Sequence, residues 1–267
     1  MRSWSWRQFR HSSCTDAIVT TPEADQRHYW DGLSELDPDA AVIDPNDHRG
    51  LKNAYLASIR DRAFKEGVDR RGIRQGTVLD LGCGSGSSTL PLLREGHSVV
   101  GVDISPGLLR HASIRCQNED ALFVLTDGRC LPLARDSLDA AVTYVVLSYI
   151  VDDARVLRVM DDVRQALSPG APFIMIEQAR RRRRTMENGR KVQRTLTEWS
   201  RLLALAGFTL ERRTILRHGR FPSTPLIRAG LLPSRAWGLA RRMEAIVASR
   251  SGVFPWDYAE VCFEASA

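Results

Sequence analysis

The chain has 267 residues, 43% of them hydrophobic and 26% charged, with a net charge of +6; this is enough for one large soluble α/β domain with an appended cap. Its five cysteines (Cys14, Cys83, Cys116, Cys130, Cys262) are scattered, and no C-x-x-C pair or Cys/His metal spacing appears, which argues against zinc and iron–sulfur sites. No apolar run reaches membrane-spanning length and the first residues lack a signal-peptide core, so a cytoplasmic protein with reduced thiols and no metal is expected.

Residues 1–20 show no period and read as a flexible tail. Pro22 to Gly32 reads as a short helix carrying Tyr29 and Trp30, and the Asp/Pro-rich stretch Leu36 to His48 as a loop. Leu51 to Lys65 places Leu51, Tyr55, Leu56, Ile59 and Phe64 at near-helical spacing. Residues 21–70 are thus expected to form an N-terminal helical cap. Strand and helix then alternate: strand 77–81, helix 88–95, strand 98–103, helix 106–116, strand 122–125, strand 138–146 and helix 152–167. Ser168-Pro169-Gly170 ends that helix. Strand 172–177, helix 195–206 and strand 208–216 follow. An insertion at 217–257, with a helix near 235–248, precedes a final alternating strand from Tyr258 to Ala265. Such alternation specifies a doubly wound, mostly parallel sheet with helices on both faces.

The densest signal is Val78-Leu79-Asp80-Leu81-Gly82-Cys83-Gly84-Ser85-Gly86, a buried strand running into a glycine turn. Glycine there lets backbone approach a ligand closely. The next strand ends at Asp103, where a carboxylate meets the two hydroxyls of a ribose. Three features point away from a dinucleotide. The third glycine is Gly86 rather than residue 87. Asp80 inside the strand would repel a pyrophosphate but attract an ammonium. No G-x-x-x-x-G-K-[ST] loop is present. A nucleoside bearing a positive amine fits S-adenosylmethionine.

On these residues the chain resembles the class I S-adenosylmethionine-dependent methyltransferases. Val100-Gly101-Val102-Asp103-Ile104-Ser105, Thr126-Asp127-Gly128 with Leu131-Pro132-Leu133, Ser137 to Val142, and Leu167 to Ala171 complete the family's series in order. The resemblance spans about Gly72 to Leu216 and returns at Tyr258 to Ala265. It implies a Rossmann-like methyltransferase fold with a seven-stranded sheet whose last strand inserts antiparallel, so that residues 71–267 form the cofactor-binding catalytic domain. It also implies a cofactor set of Asp80, Gly82, Cys83, Gly84, Gly86, Asp103, Ile104, Thr126, Asp127, Gly128 and Leu147. In that set the glycine loop cradles the methionine part, Asp103 takes the ribose, Ile104 and Leu147 pack on the cofactor, and Asp127 accepts from the adenine amine.

Methyl transfer from a sulfonium is an in-line displacement in which the protein mainly aligns the acceptor and excludes water. A hydroxyl acceptor also needs a base. Glu177 at the end of the fifth strand, Tyr149 and His48 are the catalytic candidates, with His218 behind them. Arg49 or Lys52 would reach the cofactor carboxylate, and Tyr29 and Trp30 would close over it. The stretch Thr143-Tyr144-Val145-Val146 lacks the [DN]-P-P-[YF] pattern of nucleobase-amine methylation. Cys130 is misplaced for a thiolate nucleophile. Asp152-Asp153 has no Asp-Asn partner at the fifth strand, where Glu177-Gln178 stands, so bound Mg²⁺ is not expected.

Charge is uneven: residues 180–250 hold 18 Lys/Arg against four acids, and only three lysines (Lys52, Lys65, Lys191) occur in the chain. Arg180 to Arg184 reads either as a solvated loop or as a phosphate clamp at the pocket mouth. The expected function is methyl transfer to a small-molecule or glycan acceptor, an anionic one if the clamp operates, at oxygen, under a lid built from 24–65 and 217–257. An RNA methyltransferase using the 180–250 segment and a non-catalytic cofactor-binding partner subunit are the alternatives.

Overall fold

The computed structural model describes residues 22–35, 43, 44, 46–251 and 257–267. The expected tail, most of the 36–48 loop and residues 252–256 of the insertion lie outside the described residues.

Strands β1 (Thr77–Leu81), β2 (Ser98–Asp103), β3 (Ala121–Leu125), β4 (Ala140–Tyr144) and β5 (Pro172–Arg180) form the parallel part of the sheet, in spatial order β3-β2-β1-β4-β5. The last strand, β9 (Ala259–Ser266), pairs antiparallel with β5 along Pro172 to Ala179 and on its other edge with β8 (Thr209–His218). The parallel strands β1, β2, β4 and the first half of β5 are largely apolar and buried because both faces are covered. Alternate residues serve opposite faces: Leu79, Val100, Ala141, Phe173 and Phe263 join one core cluster, while Val78, Val99, Val142, Ile174 and Cys262 join the other.

The helices follow the same logic. Helix α5 (Asp153–Ala166) buries Val156, Val159, Met160 and Val163 and is capped by the Asp152 side chain, which accepts from Ala154 N–H. Helix α6 (Leu196–Leu205) opens with a Thr195/Glu198 capping box and buries Trp199 and Leu203 on that side of the sheet. On the opposite face, α2 (Leu51–Asp69) brings Ala63, Phe64 and Val68 against the strands, beside α3 (Thr89–Arg94) with Leu92 and Leu93. Helix α4 (Pro106–Arg115) starts on Ser105, whose hydroxyl accepts from Leu108 N–H. Helix α1 (Pro22–Ser34) docks on it: Asp31 Oδ1 accepts from Ser105 Oγ at 2.5 Å and from Gly107 N–H at 3.1 Å.

The sheet differs from the expected seven strands. It has nine, because residues 184–195 form a hairpin, β6 (Arg184–Met186) and β7 (Lys191–Thr195). Strand β5 runs three residues past Glu177, and there β7 pairs with it parallel, Ala179 to Arg194 and Arg180 to Thr195. Strand β4 pairs with β5 only as far as Ile176, so β7 takes up the edge that β4 vacates, just beyond its carboxyl end. The reversal passes through Glu187, Asn188 and Gly189 at φ 52, 54 and 94.

Two of the five arginines in the run, Arg180 and Arg183, are recruited into ion pairs, while Arg181, Arg182 and Arg184 stay exposed. Arg180 bonds Gln193 and, at 2.5 Å, Asp257, while Arg183 pairs with Asp153 at 2.8 Å and Glu198 at 3.3 Å. Arg194, fully buried, holds Asp153 at 2.6 Å and the carbonyls of Leu147 and Ile150. The insertion supplies α7 (Ser223–Arg228) and α8 (Trp237–Ser251). Ile227 and Trp237 pack on Tyr55 and Leu56 of α2, so this region buttresses the cap.

Candidate active site

A cavity of about 710 Å³ lies over the carboxyl ends of the parallel strands. Its two halves are built differently.

In the first half the glycine turn folds over β2: the amides of Gly82 and Cys83 both donate to Val102 O, at 2.8 and 3.1 Å. Gly82 has φ 72, and a Cβ there would collide with Val146, so the position admits glycine alone. Asp103 is clamped, Oδ2 accepting from Gly84 N–H and Oδ1 from Ser105 N–H, both at 2.9 Å. An ionised carboxylate has about four acceptor positions, so two remain for ligand hydroxyls. Burial pushes the Asp103 carboxyl up to about 6 despite these amides. Ile104, Thr126, Asp127 and Gly128 line the same half. Asp127 Oδ1 accepts from Arg129 N–H at 2.8 Å, which fixes its turn.

Four other expected cofactor residues lie behind this lining. Asp80 is buried, with Oδ2 accepting from Ser88 Oγ at 2.8 Å and Thr89 Oγ1 at 2.7 Å, and burial raises its carboxyl. It ties β1 to the start of α3 rather than facing a ligand. Cys83 is buried beneath the turn, Gly86 packs on Ala112, and Leu147 is fully buried in the core.

The second half is walled by aromatic and polar side chains from distant segments. Tyr149, on a 3-10 turn over Leu147–Tyr149, meets Trp30 edge to face at 4.9 Å between centroids. Trp30 meets Tyr29 in the same way at 5.2 Å. Tyr144, Gln178, Lys191, Gln193, Tyr258 and Glu260 complete it. Glu260 accepts from buried Arg217 at 2.6 Å. Val145, lining the cavity, holds φ 56, a strained conformation for a β-branched residue. Gln26 Nε2 donates to Tyr149 O at 3.1 Å and to Arg190 O at 2.7 Å, stapling α1 to the turn and the hairpin.

The catalytic candidates separate. Tyr149 lines the cavity, its hydroxyl 3.3 Å from Glu187 and 3.4 Å from Lys191 Nζ, and burial raises its phenol further. Glu177 does not line it. That carboxylate is fully buried, accepting from Leu147 N–H at 2.7 Å and Ser148 Oγ at 2.5 Å, and burial pushes it up to about 7. It holds the Leu147–Tyr149 turn through these two hydrogen bonds. His48 is exposed and away from the lining, and His218 is buried against Glu244. Lys52 lines the cavity but is paired with Asp44 at 2.5 Å, and Arg49 reaches Ala229 O instead. None of Arg180 to Arg184 lines the cavity, because Arg180 and Arg183 are committed to ion pairs. Asp152 serves as a helix cap and Asp153 as an arginine partner, so neither stands in a metal set. The residues that sequence reasoning missed are Lys191, Gln193 and Glu260. Their only early trace is that Lys191 is one of three lysines in an arginine-rich chain.

Residues 78–170 match the family described as a methyltransferase domain. The demethylmenaquinone methyltransferase of Tropheryma whipplei is 31% identical over 134 residues, 49% of this chain and 54% of that protein. The chain has the fold of the class I S-adenosylmethionine-dependent methyltransferases, and its residues 78–170 match a methyltransferase domain. The chain spans about half the length of the curated relatives it matches. An 18S rRNA (guanine-N(7))-methyltransferase of Schizosaccharomyces pombe is 33% identical over 75 residues, 28% of each chain. The fold also matches the magnesium protoporphyrin IX methyltransferase of Synechocystis, solved with bound S-adenosylmethionine, at TM-score 0.62 and 16% identity, over 94% of this chain and 99% of that one. The matched domain and the fold point to S-adenosylmethionine as the cofactor. The clamped, partly unsatisfied carboxylate of Asp103 beside an open glycine turn fits it.

Among the described residues, no helix is long and apolar enough to cross a membrane.

Proposed function

We propose that the protein transfers the methyl group of S-adenosylmethionine to the oxygen of a small-molecule acceptor held in the second half of the cavity. One observation carries this reading: Asp103 and the glycine turn share a single cavity with Tyr149, Lys191 and Glu260. When bound, the cofactor supplies the electrophilic methyl. Asp103 binds the ribose, Ile104 and Asp127 contact the adenine, and the Gly82–Gly84 backbone cradles the methionine part. The rings of Trp30 and Tyr149 confine the acceptor and exclude water. Helix α1 and the 184–195 hairpin close the cavity. Among the described residues, 217–251 contribute nothing to its lining, which favours α1 and the hairpin as the lid over the insertion.

Arg181, Arg182 and Arg184 are exposed, and one relative methylates rRNA, which keeps RNA as the second reading. The test uses methyl-tritiated S-adenosylmethionine and a host-cell extract fractionated into RNA, lipid-linked and small-metabolite pools. Label in the metabolite or lipid-linked pool is the expected result, and label confined to RNA reverses it. No label with cofactor still bound favours the non-catalytic subunit. Limited proteolysis tests the lid: S-adenosylhomocysteine should protect Arg27 and Arg190 from cleavage.

A further inference from the structure

Lys191 is 8% exposed, yet lines the cavity. Its Nζ is 3.4 Å from Tyr149 Oη and 4.6 Å from the centre of that ring. The nearest carboxylate across an ion pair is Glu187, at 3.8 Å, too far for a hydrogen bond. The carboxylates on the lining all have partners: Asp44 with Lys52, Glu260 with Arg217, Glu187 with the Tyr149 hydroxyl, Asp127 with the Arg129 amide and Asp103 with two backbone amides. We propose that the acceptor is a planar phenol or enol and that Lys191 is the base that takes its proton, an inference that rests on the methyl-transfer reading above.

The step balances. The acceptor O–H gives its proton to the neutral Lys191 amine. The oxygen lone pair forms the new O–CH₃ bond as the S–CH₃ bond breaks. The sulfonium leaves as a neutral thioether, and the positive charge ends on Lys191.

Acidity selects the acceptor. A phenol ionises near pH 10 (the tyrosine value is about 10), within reach of a lysine amine at about 10.4. An aliphatic alcohol, with acidity near that of water at about 15.7, is not. That disfavours a sugar hydroxyl and narrows the proposed acceptor class. The wall agrees, since Tyr29, Trp30, Tyr144, Tyr149 and Tyr258 offer ring faces and edges to a flat ligand. Burial lowers the Lys191 amine, against the fields of Glu187 on its own hairpin, Glu177 on β5 and Glu260 on β9. The hydroxyl of Tyr149 on the 3-10 turn lies 3.4 Å from the amine.

With three lysines in the chain, trace acetylation by acetic anhydride read by peptide mass spectrometry gives each titration directly. Lys65 is the internal control; it is exposed and ion-paired to Glu95, which holds its amine up. Lys191 is expected to gain reactivity at least one pH unit below Lys65. Titration together with Lys65, or no labelling at any pH, overturns the proposal. The second arm offers panels of simple phenols and of sugars with labelled cofactor. Wild type should methylate phenols. Lys191→Met and Lys191→Arg should both lose about 10²- to 10⁴-fold in kcat, with the Kd for S-adenosylhomocysteine changed less than twofold. Arginine fails because it cannot lose its proton. Transfer to sugars or RNA but not phenols, a fall confined to KM, or lost cofactor affinity overturns the role of Lys191. The methyltransferase reading stands or falls separately, on Asp103→Ala and the extract experiment.

Discussion

The two halves of the cavity are assembled on opposite plans. The cofactor half comes from one continuous stretch in which backbone turns set each position: one glycine turn, the end of β2 with Asp103, and the turn after β3, within Leu81 to Gly128. The acceptor half is made of side chains from α1, the 3-10 turn, β5, the hairpin and β9. Backbone geometry is dictated locally by glycine and strand propensity. A side-chain wall exists only after the sheet has brought distant segments together. The first half is therefore suited to one ligand shared by a whole family, and the second can change its ligand without disturbing the fold.

The contrast can be broken by substitution. Asp103→Ala should have the largest effect, removing the ribose contacts and the partner of Gly84 N–H. Two hydrogen bonds to a charged acceptor are worth about 3–6 kcal/mol, so calorimetry should show at least a ~100-fold loss of S-adenosylhomocysteine affinity. Near-normal affinity would sink the assignment. A pH series sharpens it: with the Asp103 carboxyl at about 6, affinity should fall tenfold per unit below that pH, as the acceptor oxygens protonate.

In the other half, Glu260→Ala leaves the Arg217 guanidinium buried without its carboxylate. Denaturant unfolding should register about 3–5 kcal/mol of destabilisation, with cofactor affinity unchanged at temperatures where the variant is folded. If affinity collapses equally, the halves are not independent.

Glu177 tests the seam. Its folded value of about 7 lies above the ordinary 4.5, so its protonated form supports the fold below pH 4.5 and that support is lost as pH rises through 7. Glu177→Gln keeps a neutral side chain throughout. Variant and wild type should match near pH 4.5, and the variant should be more stable by up to about 3 kcal/mol above pH 7. A parallel pH dependence in both would show that Glu177 is not the group responsible. The smallest effect is expected from the double substitution of Arg181 and Arg182 by alanine. Both are exposed and off the cavity, so stability should move by less than about 0.5 kcal/mol and labelled transfer not at all. A selective loss of RNA labelling would revive the nucleic-acid reading.

This division also explains what could be read in advance. Strands β1 and β2 match expectation residue for residue because each is a run of β-formers closed by a turn signal. The place of Asp103 on the cavity was legible because a strand end sets it. Glu177 has the same kind of address and another job, since Leu147 N–H and Ser148 turn its carboxylate into the core. The hairpin was hidden by charge: it opens on the last of five adjacent arginines and holds only two apolar residues, Met186 and Val192, which give no alternation, and its pairing depends on β4 stopping short of β5. Lys191 could not be singled out because burial, which alters its chemistry, is decided by elements more than 40 residues away, Tyr149 among them.

Gln26 spends both amide hydrogens on carbonyls of two other elements, Tyr149 O and Arg190 O. A path into the cavity that lifts α1 frees both at once. One side chain thus ties together three segments of the cavity wall, so any displacement of α1 would loosen the turn and the hairpin together.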